Sequence, residues 1–208
     1  MSKFGLVVIG AHSGIWLSSL IEKYKDQNIL LVEPVPYNIK LLKENTLKYK
    51  NVKIETSAVS RKTENKKFYF IKPESIKSLG KHWASEIGSF DKKHIINHKK
   101  KRFNVSDSDI EEIKIQYLTF SDLLAKYDIL SIDMLQIDAE GSEFEIMDSI
   151  NYKDIKINKI FFESKHFDGT FNEGEKLNQI KKKLILNNYN LKQVDKENIL
   201  AEKQLPFN

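Results

Sequence analysis

Two short segments of the chain carry acidic side chains and a histidine at spacings that suggest acid–base chemistry. Asp138 and Glu140 lie in IDAEGSEFEI, and Glu163 and His166 lie in FFESKHF. Each segment contains or follows an apolar run typical of a buried strand. Because the carboxyl ends of parallel strands meet at one edge of a sheet, we expect the four side chains to converge there. These four residues are our candidates for catalysis.

The sequence leaves the role of each candidate open. His166 is the best general base by residue type, since an imidazole titrates near neutral pH. Glu140 or Asp138 could instead take the proton or hydrogen-bond a sugar hydroxyl. An Asp-x-Glu pair before a helix can also act only as an N-terminal cap, worth ~1 kcal/mol. Finally, Asp138, Glu140, Glu163 and His166 could together hold a Mg²⁺-like divalent cation that lowers the pKa of an acceptor hydroxyl.

A glycine turn near the start of the chain predicts a nucleotide-type site. Residues 6–9 form a continuous apolar run of the kind buried on both faces of a parallel sheet. Gly10 allows a tight turn after this run, and Gly14 allows a ligand or a helix to approach closely. Glu33 ends the next apolar run, where an acidic side chain can accept both hydroxyls of a ribose.

The elements that would position these residues alternate between strand and helix. Pro36 suits the first position of a helix, and helices are predicted over residues 15–24, 36–47, 121–127 and 173–187. This alternation predicts an α/β fold, with a Rossmann-like, doubly wound, seven-stranded and mostly parallel sheet that ends in a C-terminal antiparallel hairpin. The predicted strands of this sheet are residues 6–9, 28–33, 52–57, 134–137, 157–163, 189–195 and 198–203.

Residues 61–112 interrupt the alternation and are predicted to be an inserted lid. Residues 66–71 are typical of an extra strand, and residues 113–120 of a return to strand. Residues 72–108 are expected to be irregular, and such a long irregular stretch inside a compact domain is either a functional lid or disordered. Its aromatic residues favour a lid that packs against the rest of the domain, and we expect the lid to contact the substrate. The substrate-binding candidates are Trp83, Ser85, Ser89, Phe90, His94 and His98.

Composition narrows the class of protein. The 208 residues suit one domain, 1–208, and the apolar stretches are far shorter than the ~20 residues that cross a bilayer. The absence of cysteine excludes disulfides, thiolate metal sites and cysteine nucleophiles, and it favours a cytoplasmic protein. The net charge of +5 comes from lysines interleaved with acidic residues, so it is weak evidence for a nucleic-acid partner. No signal predicts the oligomeric state.

Several segments, in the same order, resemble the FkbM family of methyltransferases. The segment VVIGAHSG is similar to the family's first motif, LLVEPVPYNIKLLKEN to its second strand and helix, and TSAVS and LQIDAEGSEFEI to further hallmarks. WASEIGSFDKKHIINH and FFESKHF are similar to later segments, so the resemblance spans most of residues 4–166. The Asp-x-Glu-Gly block is its most specific part. The chain departs from the family at Val8, where an Asp is usual, and at His12, where an Asn is usual.

The resemblance implies S-adenosylmethionine as the methyl donor and assigns the residues that would bind it. A glycine turn would wrap the methionine and ribose, Glu33 would accept the ribose hydroxyls, and two later residues would border the adenine. In the related enzymes the Asp that Val8 replaces helps to hold the amino group of the methionine. The implied donor-binding residues are Gly10, Ala11, His12, Ser13, Gly14, Glu33, Asn38, Ser57, Ala58 and Asp138.

The resulting hypothesis is an S-adenosylmethionine-dependent O-methyltransferase that acts on a hydroxyl of a small polar metabolite, such as a sugar. One alternative is a nucleic-acid methyltransferase that grips the backbone with the basic segment 94–102, although the chain lacks the Asn/Asp-Pro-Pro-Tyr segment and the cysteine that base methylation uses. A second is an NAD(P)-dependent oxidoreductase, although position 12 is His and position 15 is Ile where Gly-x-Gly-x-x-Gly requires glycine. A third is a binding protein without activity, which Val8 favours.

Overall fold

Eleven strands in two sheets make up the β-structure of the described residues, which are 2–80, 88–89, 91–98, 105–168 and 172–204 of a computed structural model. In chain order the strands are β1 (Ser2–Ile9), β2 (Asn28–Val32), β3 (Val52–Glu55), β4 (Ala58–Val59), β5 (Glu64–Ile71), β6 (Gly88–Ser89), β7 (Ile110–Leu118), β8 (Ile129–Ile137), β9 (Lys156–Glu163), β10 (Tyr189–Gln193) and β11 (Asn198–Lys203). The helices are α1 (Ser18–Lys23), α2 (Pro36–Thr46), α3 (Pro73–Leu79), α4 (Lys92–His98), α5 (Phe120–Lys126), α6 (Glu143–Ser149) and α7 (Glu175–Leu186).

The main sheet has seven strands in the order β10-β11-β9-β8-β1-β2-β3. Five neighbouring strands of this sheet are parallel, namely β9, β8, β1, β2 and β3. Strand β11 pairs antiparallel with both β9 and β10. The predicted fold class, including the C-terminal hairpin, is therefore confirmed. The strand order reverses at β1, so the carboxyl ends of β1, β2 and β8 frame the crevice where open α/β sheets bind ligands.

Strand β1 is buried on both faces, as its unbroken apolar run predicts. Phe4 and Val7 pack into one core beneath α5, α6 and α7, and Leu6 and Val8 pack into a second core beneath α1 and α2. All four side chains have 0% exposure. Val8 thus lies in an apolar core with Ile21 and Leu42, so the side chain at this position does not face the crevice.

The region after β3 differs most from the sequence-based prediction. The third strand ends at Glu55 rather than at residue 57, and Ala58–Val59 instead forms β4 of a second sheet. That sheet has the order β4-β7-β5-β6, with β5 and β7 paired antiparallel over eight residues each. The expectation of irregular structure over residues 72–108 is wrong where α3, β6 and α4 occur. Ile76 of α3 and Ile95 of α4 pack with Ile71 of β5 into a small core of their own.

Several predicted residues lie outside the described part of the chain. They are Trp83, Ser85, Phe90 and residues 99–102 of the basic segment. For His94 and His98 the structure describes only the backbone, which lies in α4. No helix within the described ranges combines the length and apolar character needed to span a membrane.

Candidate active site

A cleft of about 540 Å³ opens at the carboxyl ends of β1, β2 and β8. Polar groups enter from the main sheet, and an apolar wall comes from the second sheet. The lining residues are Ile9, Gly10, Val32, Glu33, Pro34, Val35, Ala58, Val59, Phe68, Gly88, Tyr117, Asp138, Ala139, Glu140, Ser142 and Ile146.

Glu33 is the buried anion of this cleft. It follows β2 directly and is only 4% exposed. Its carboxylate accepts hydrogen bonds from the backbone N–H of His12 at 2.8 Å, from that of Val35 at 2.9 Å and from the Asn38 amide at 3.4 Å. Burial raises the pKa of Glu33 to about 7, and these donors oppose the rise. Each carboxylate oxygen can accept more than one hydrogen bond, so hydroxyls entering the cleft can still bind.

The glycine turn packs directly against the backbone of the neighbouring strands. Gly10 has φ +88°, and a Cβ at this position would lie 1.7 Å from the backbone oxygen of Asp138. Gly14 has φ +77°, and its missing Cβ leaves room for Leu42 of α2. The N–H groups of Gly10 and Ala11 both donate to the backbone oxygen of Val32 at 3.0 Å. The turn is therefore held by β8, β2 and α2 together.

The other predicted donor-binding residues lie around the cleft in different roles. Ala58 lines it, whereas Ser57 donates its hydroxyl to Glu55 at 2.8 Å. Ala11, Ser13 and Asn38 are buried at the base of the turn, with exposures of 3% or less. Of the ten predicted residues, the four that line the cleft are Gly10, Glu33, Ala58 and Asp138.

The structure brings the four predicted acid–base groups together. Asp138 and Glu140 line the cleft after β8. Glu163 ends the neighbouring strand β9, and the Nε2 atom of His166 lies 3.4 Å from Glu140 Oε2 and 3.6 Å from Glu163 Oε2. The His166 side chain is only 1% exposed, and among the described residues it is not part of the cleft lining. Glu140 therefore stands between the cleft and the buried histidine.

The pKa values of the carboxyl groups in this cluster are raised. The pKa of Glu140 is raised well above its ordinary value by burial and by the charges of Asp138 and Glu163. Burial and Asp138 raise the pKa of Glu163 to about 7, although the Lys165 ammonium lies 2.5 Å from Glu163 Oε1. A group with a raised pKa is suited to proton transfer near neutral pH.

Two members of the cluster, Glu143 and Lys165, were not predicted from the sequence. Glu143 is completely buried and accepts the N–H groups of Ala139 at 2.6 Å and Gly141 at 2.9 Å. Burial, then the charges of Glu163 and Asp138, raise its pKa to about 8. A Glu at the first position of a helix usually faces water, so its residue type and helical position did not indicate burial. Its place two residues after Gly141 was the available signal.

The second sheet supplies the apolar wall opposite these charges. Phe68 of β5, Gly88 of β6 and Tyr117 of β7 line the cleft. A Cβ at Gly88 would lie 2.7 Å from the Phe68 ring, so only glycine permits this approach. Of the predicted substrate-binding residues, Ser89 is described, and it is 5% exposed with its hydroxyl accepting the Asp91 N–H at 3.1 Å.

The sheet topology defines a Rossmann-like α/β protein whose cleft lies at the carboxyl ends of its central strands. Its family follows from the sequence as a whole. The model of the methyltransferase FkbM domain matches residues 9–192. The chain belongs to the FkbM methyltransferase family and is an S-adenosylmethionine-dependent methyltransferase, as the motif resemblance implied.

Several solved structures of methyltransferases match the chain at low sequence identity. Precorrin-6y C5,15-methyltransferase from Geobacter metallireducens GS-15 is 13% identical, with a TM-score of 0.48 over 98% of this chain and 82% of that chain. Aeropyrum pernix fibrillarin with natively bound S-adenosyl-L-methionine is 13% identical, with a TM-score of 0.45 over 95% and 65%. The N-methyltransferase NodS from Bradyrhizobium japonicum WM9 is 10% identical, with a TM-score of 0.43 over 98% and 86%. No curated protein matches the chain in sequence.

Proposed function

We propose that the protein transfers the methyl group of S-adenosylmethionine to a hydroxyl of a small polar metabolite, such as a sugar. The observation that carries this proposal is the placement of two carboxylates, Asp138 and Glu140, in the same cleft as the buried carboxylate of Glu33. Glu33 suits the hydroxyls of a ribose. Asp138 and Glu140 suit an acceptor hydroxyl that must lose a proton.

The residues of the cleft fit S-adenosylmethionine. Glu33 would accept the ribose hydroxyls, and the turn at Gly10 leaves backbone close to the ligand. Val35, Ala58 and Phe68 offer apolar surface for the adenine ring. When bound, the donor supplies a methyl group that its sulfonium already makes electrophilic. The protein's own tasks are then to orient the acceptor hydroxyl and to remove its proton.

Glu140 is the general base in this proposal. It lines the cleft, its side chain is 20% exposed, and its raised pKa makes it a stronger base than an exposed carboxylate. His166 lies on the other side of Glu140 at 3.4 Å and would orient it or share its proton. Asp138, which is exposed in the cleft, would accept a second hydroxyl of the acceptor.

A divalent cation is a second way to activate the hydroxyl. Single atoms of Glu140, Glu163 and His166 lie within 4.8 Å of one another, and the 3.4 Å and 3.6 Å separations at His166 suit ligands of one ion. The Lys165 ammonium already balances Glu163, which favours the base over the cation. Activity that is abolished by EDTA and restored by Mg²⁺ would establish the cation instead.

The test is a methylation screen with S-adenosylmethionine and a panel of hydroxyl acceptors, namely free sugars, sugar phosphates and polyols. S-adenosylhomocysteine release and product mass are measured, and the methylated atom is assigned by NMR. We expect a methyl ether, and we expect E140Q to lower turnover by about 10²-fold or more with donor binding retained. Methylation confined to nitrogen, carbon or RNA would refute the proposal.

A further inference from the structure

Glu143 is a carboxyl-bearing residue in the active-site region that does not line the cleft. It is the first residue of α6 and has 0% exposure. A carboxyl group is costly to bury unless its oxygens receive hydrogen bonds. Both oxygens of Glu143 receive them, but from the preceding loop rather than from its own helix: Ala139 donates to Oε1 at 2.6 Å, and Gly141 donates to Oε2 at 2.9 Å.

These two donors are the residues on either side of Glu140. The backbone of Glu140 has φ +48° and that of Gly141 has φ +98°, so the loop turns twice through the left-handed region. A residue other than glycine holds such a conformation only where the surroundings enforce it. The loop begins at Asp138, whose N–H donates to the Ile9 backbone oxygen at 3.0 Å and so ties the loop to β1. Glu143 ties the rest of the loop to the start of α6.

We propose that Glu143 is a positioning residue, which holds the loop from Asp138 to Gly141 so that the side chains of Asp138 and Glu140 face the acceptor. Its two hydrogen bonds join the start of α6 to the end of β8, and the left-handed turn at Glu140 is kept between them. The side chain of Ser142, which precedes α6, makes no capping hydrogen bond, so this function is not shared with the usual N-cap residue.

The kinetic part of this inference rests on the proposed function, and E143Q tests it. Glutamine keeps the size of the side chain but turns one acceptor into a donor, so one of the two loop bonds is lost. We expect the turnover number to fall by about 10²-fold, because catalysis is sensitive to shifts of about 1 Å, while the KM for the methyl donor stays within about threefold. A loss of turnover matched by an equal rise in donor KM would overturn the proposal.

A second measurement needs no acceptor, so it distinguishes failure of this inference from failure of the proposed function. Amide hydrogen exchange is followed by NMR in the wild type and in E143Q, each saturated with S-adenosylhomocysteine. We expect exchange at Ala139 and Gly141 to accelerate about tenfold or more in E143Q, with the strand amides of β1 and β8 unchanged. Unchanged exchange at Ala139 and Gly141 would overturn the proposal even if turnover fell.

Glu145 provides the matched control. It lies in the same first turn of α6, its side chain is 31% exposed, and its carboxylate is 3.8 Å from Arg61. E145Q therefore makes the same substitution in the same helical turn without touching the loop. We expect E145Q to retain wild-type turnover and wild-type exchange at Ala139 and Gly141. Equal effects of E143Q and E145Q would show that any such change at the start of α6, rather than loop positioning, is responsible.

Discussion

At the scale of single residues, the most informative group is the Glu33 carboxylate. It is buried, and its three protein hydrogen bonds leave lone pairs for a ligand. We expect E33Q to bind S-adenosylhomocysteine about 10- to 100-fold more weakly, since hydrogen bonds to a charged group contribute about 1.5–3 kcal/mol. Isothermal titration calorimetry measures the change, and E44Q, at an exposed position of α2, is the control. Equal affinity of wild type and E33Q would remove Glu33 from the binding site.

The pH dependence of donor binding follows from the same carboxyl group. Burial raises the pKa of Glu33 to about 7. Below that pH Glu33 is protonated, so we expect the affinity for S-adenosylhomocysteine to fall as the pH decreases from 8 to 6.

Glu33 affects the stability of the protein without ligand in the opposite direction. Its unfolded pKa is the ordinary 4.5, so the folded state binds the extra proton and stability decreases as the pH rises from 4.5 to 7. Calorimetry from pH 8 to 6 measures the change in affinity, and thermal unfolding from pH 4.5 to 7 measures the change in stability. We expect both pH dependences to be weaker in E33Q.

At the scale of elements, the turn between β1 and α1 depends on what approaches Gly10. A Cβ there would meet the Asp138 backbone oxygen at 1.7 Å, whereas a Cβ at Gly80, which also has positive φ, would meet nothing within 4 Å. We expect G80A to cost about 1 kcal/mol through backbone strain alone. G10A should cost more than twice as much and abolish donor binding, because β8 must move. Urea unfolding and calorimetry provide the comparison, and similar losses in both variants would contradict it.

The turn between β3 and β4 is held by a single buried carboxylate. Glu55 accepts the N–H of Thr56 at 2.9 Å, the hydroxyl of Ser57 at 2.8 Å and the phenol of Tyr127 at 3.0 Å, and it pairs with Lys126 at 2.7 Å. Burial opposes its ionisation, but these donors hold its pKa below the ordinary value. Stability from Glu55 is therefore present above pH 4.5 and is lost as the pH falls through the lower folded pKa.

We expect E55A to lower the free energy of unfolding by about 2 kcal/mol at neutral pH, because several donors lose their partner. The loss should shrink in acid, where the wild-type carboxylate is itself protonated. The control is E112A, which breaks the exposed pair with Lys67 and should leave the free energy of unfolding nearly unchanged. Urea unfolding at pH 7 and pH 3 measures both, and a pH-independent loss in E55A would contradict this account.

The same elements indicate which features the sequence could predict. The apolar runs at β1 and β8 are local patterns, so their strands, and the acidic residues that end β2 and β9, could be placed in advance. In the second sheet, β5 and β7 were predicted as strands at residues 66–71 and 113–120. The sheet as a whole could not be predicted, because β4 and β6 have two residues each and exist only through pairing with β7 and β5. The buried state of Glu143 was equally hidden, since it depends on the backbone N–H groups of a loop whose left-handed turn at Glu140 no local pattern indicates.

At the scale of the whole molecule, the second sheet and the main sheet share the walls of one cleft. Val35, which precedes α2, and Ala58 of β4 pack in one apolar cluster with Phe68, Phe70 and Tyr117 of the second sheet. The second sheet is therefore part of the binding site rather than an appendage beside it. The two sheets should consequently unfold together, and a ligand in the cleft should stabilise both.

Phe68 tests this coupling because it is buried in the shared cluster and also lines the cleft. We expect F68A to lower the free energy of unfolding by about 3 kcal/mol and to keep a single transition. Its affinity for S-adenosylhomocysteine should fall about tenfold, so the ligand should raise the transition temperature less than in the wild type.

The control is L130A, which truncates a side chain that is 53% exposed on β8 and should leave the free energy of unfolding and the ligand affinity unchanged. Urea and thermal unfolding by circular dichroism, with and without ligand, measure them. Two separate transitions, or a ligand shift equal to that of the wild type, would show that the sheets are independent.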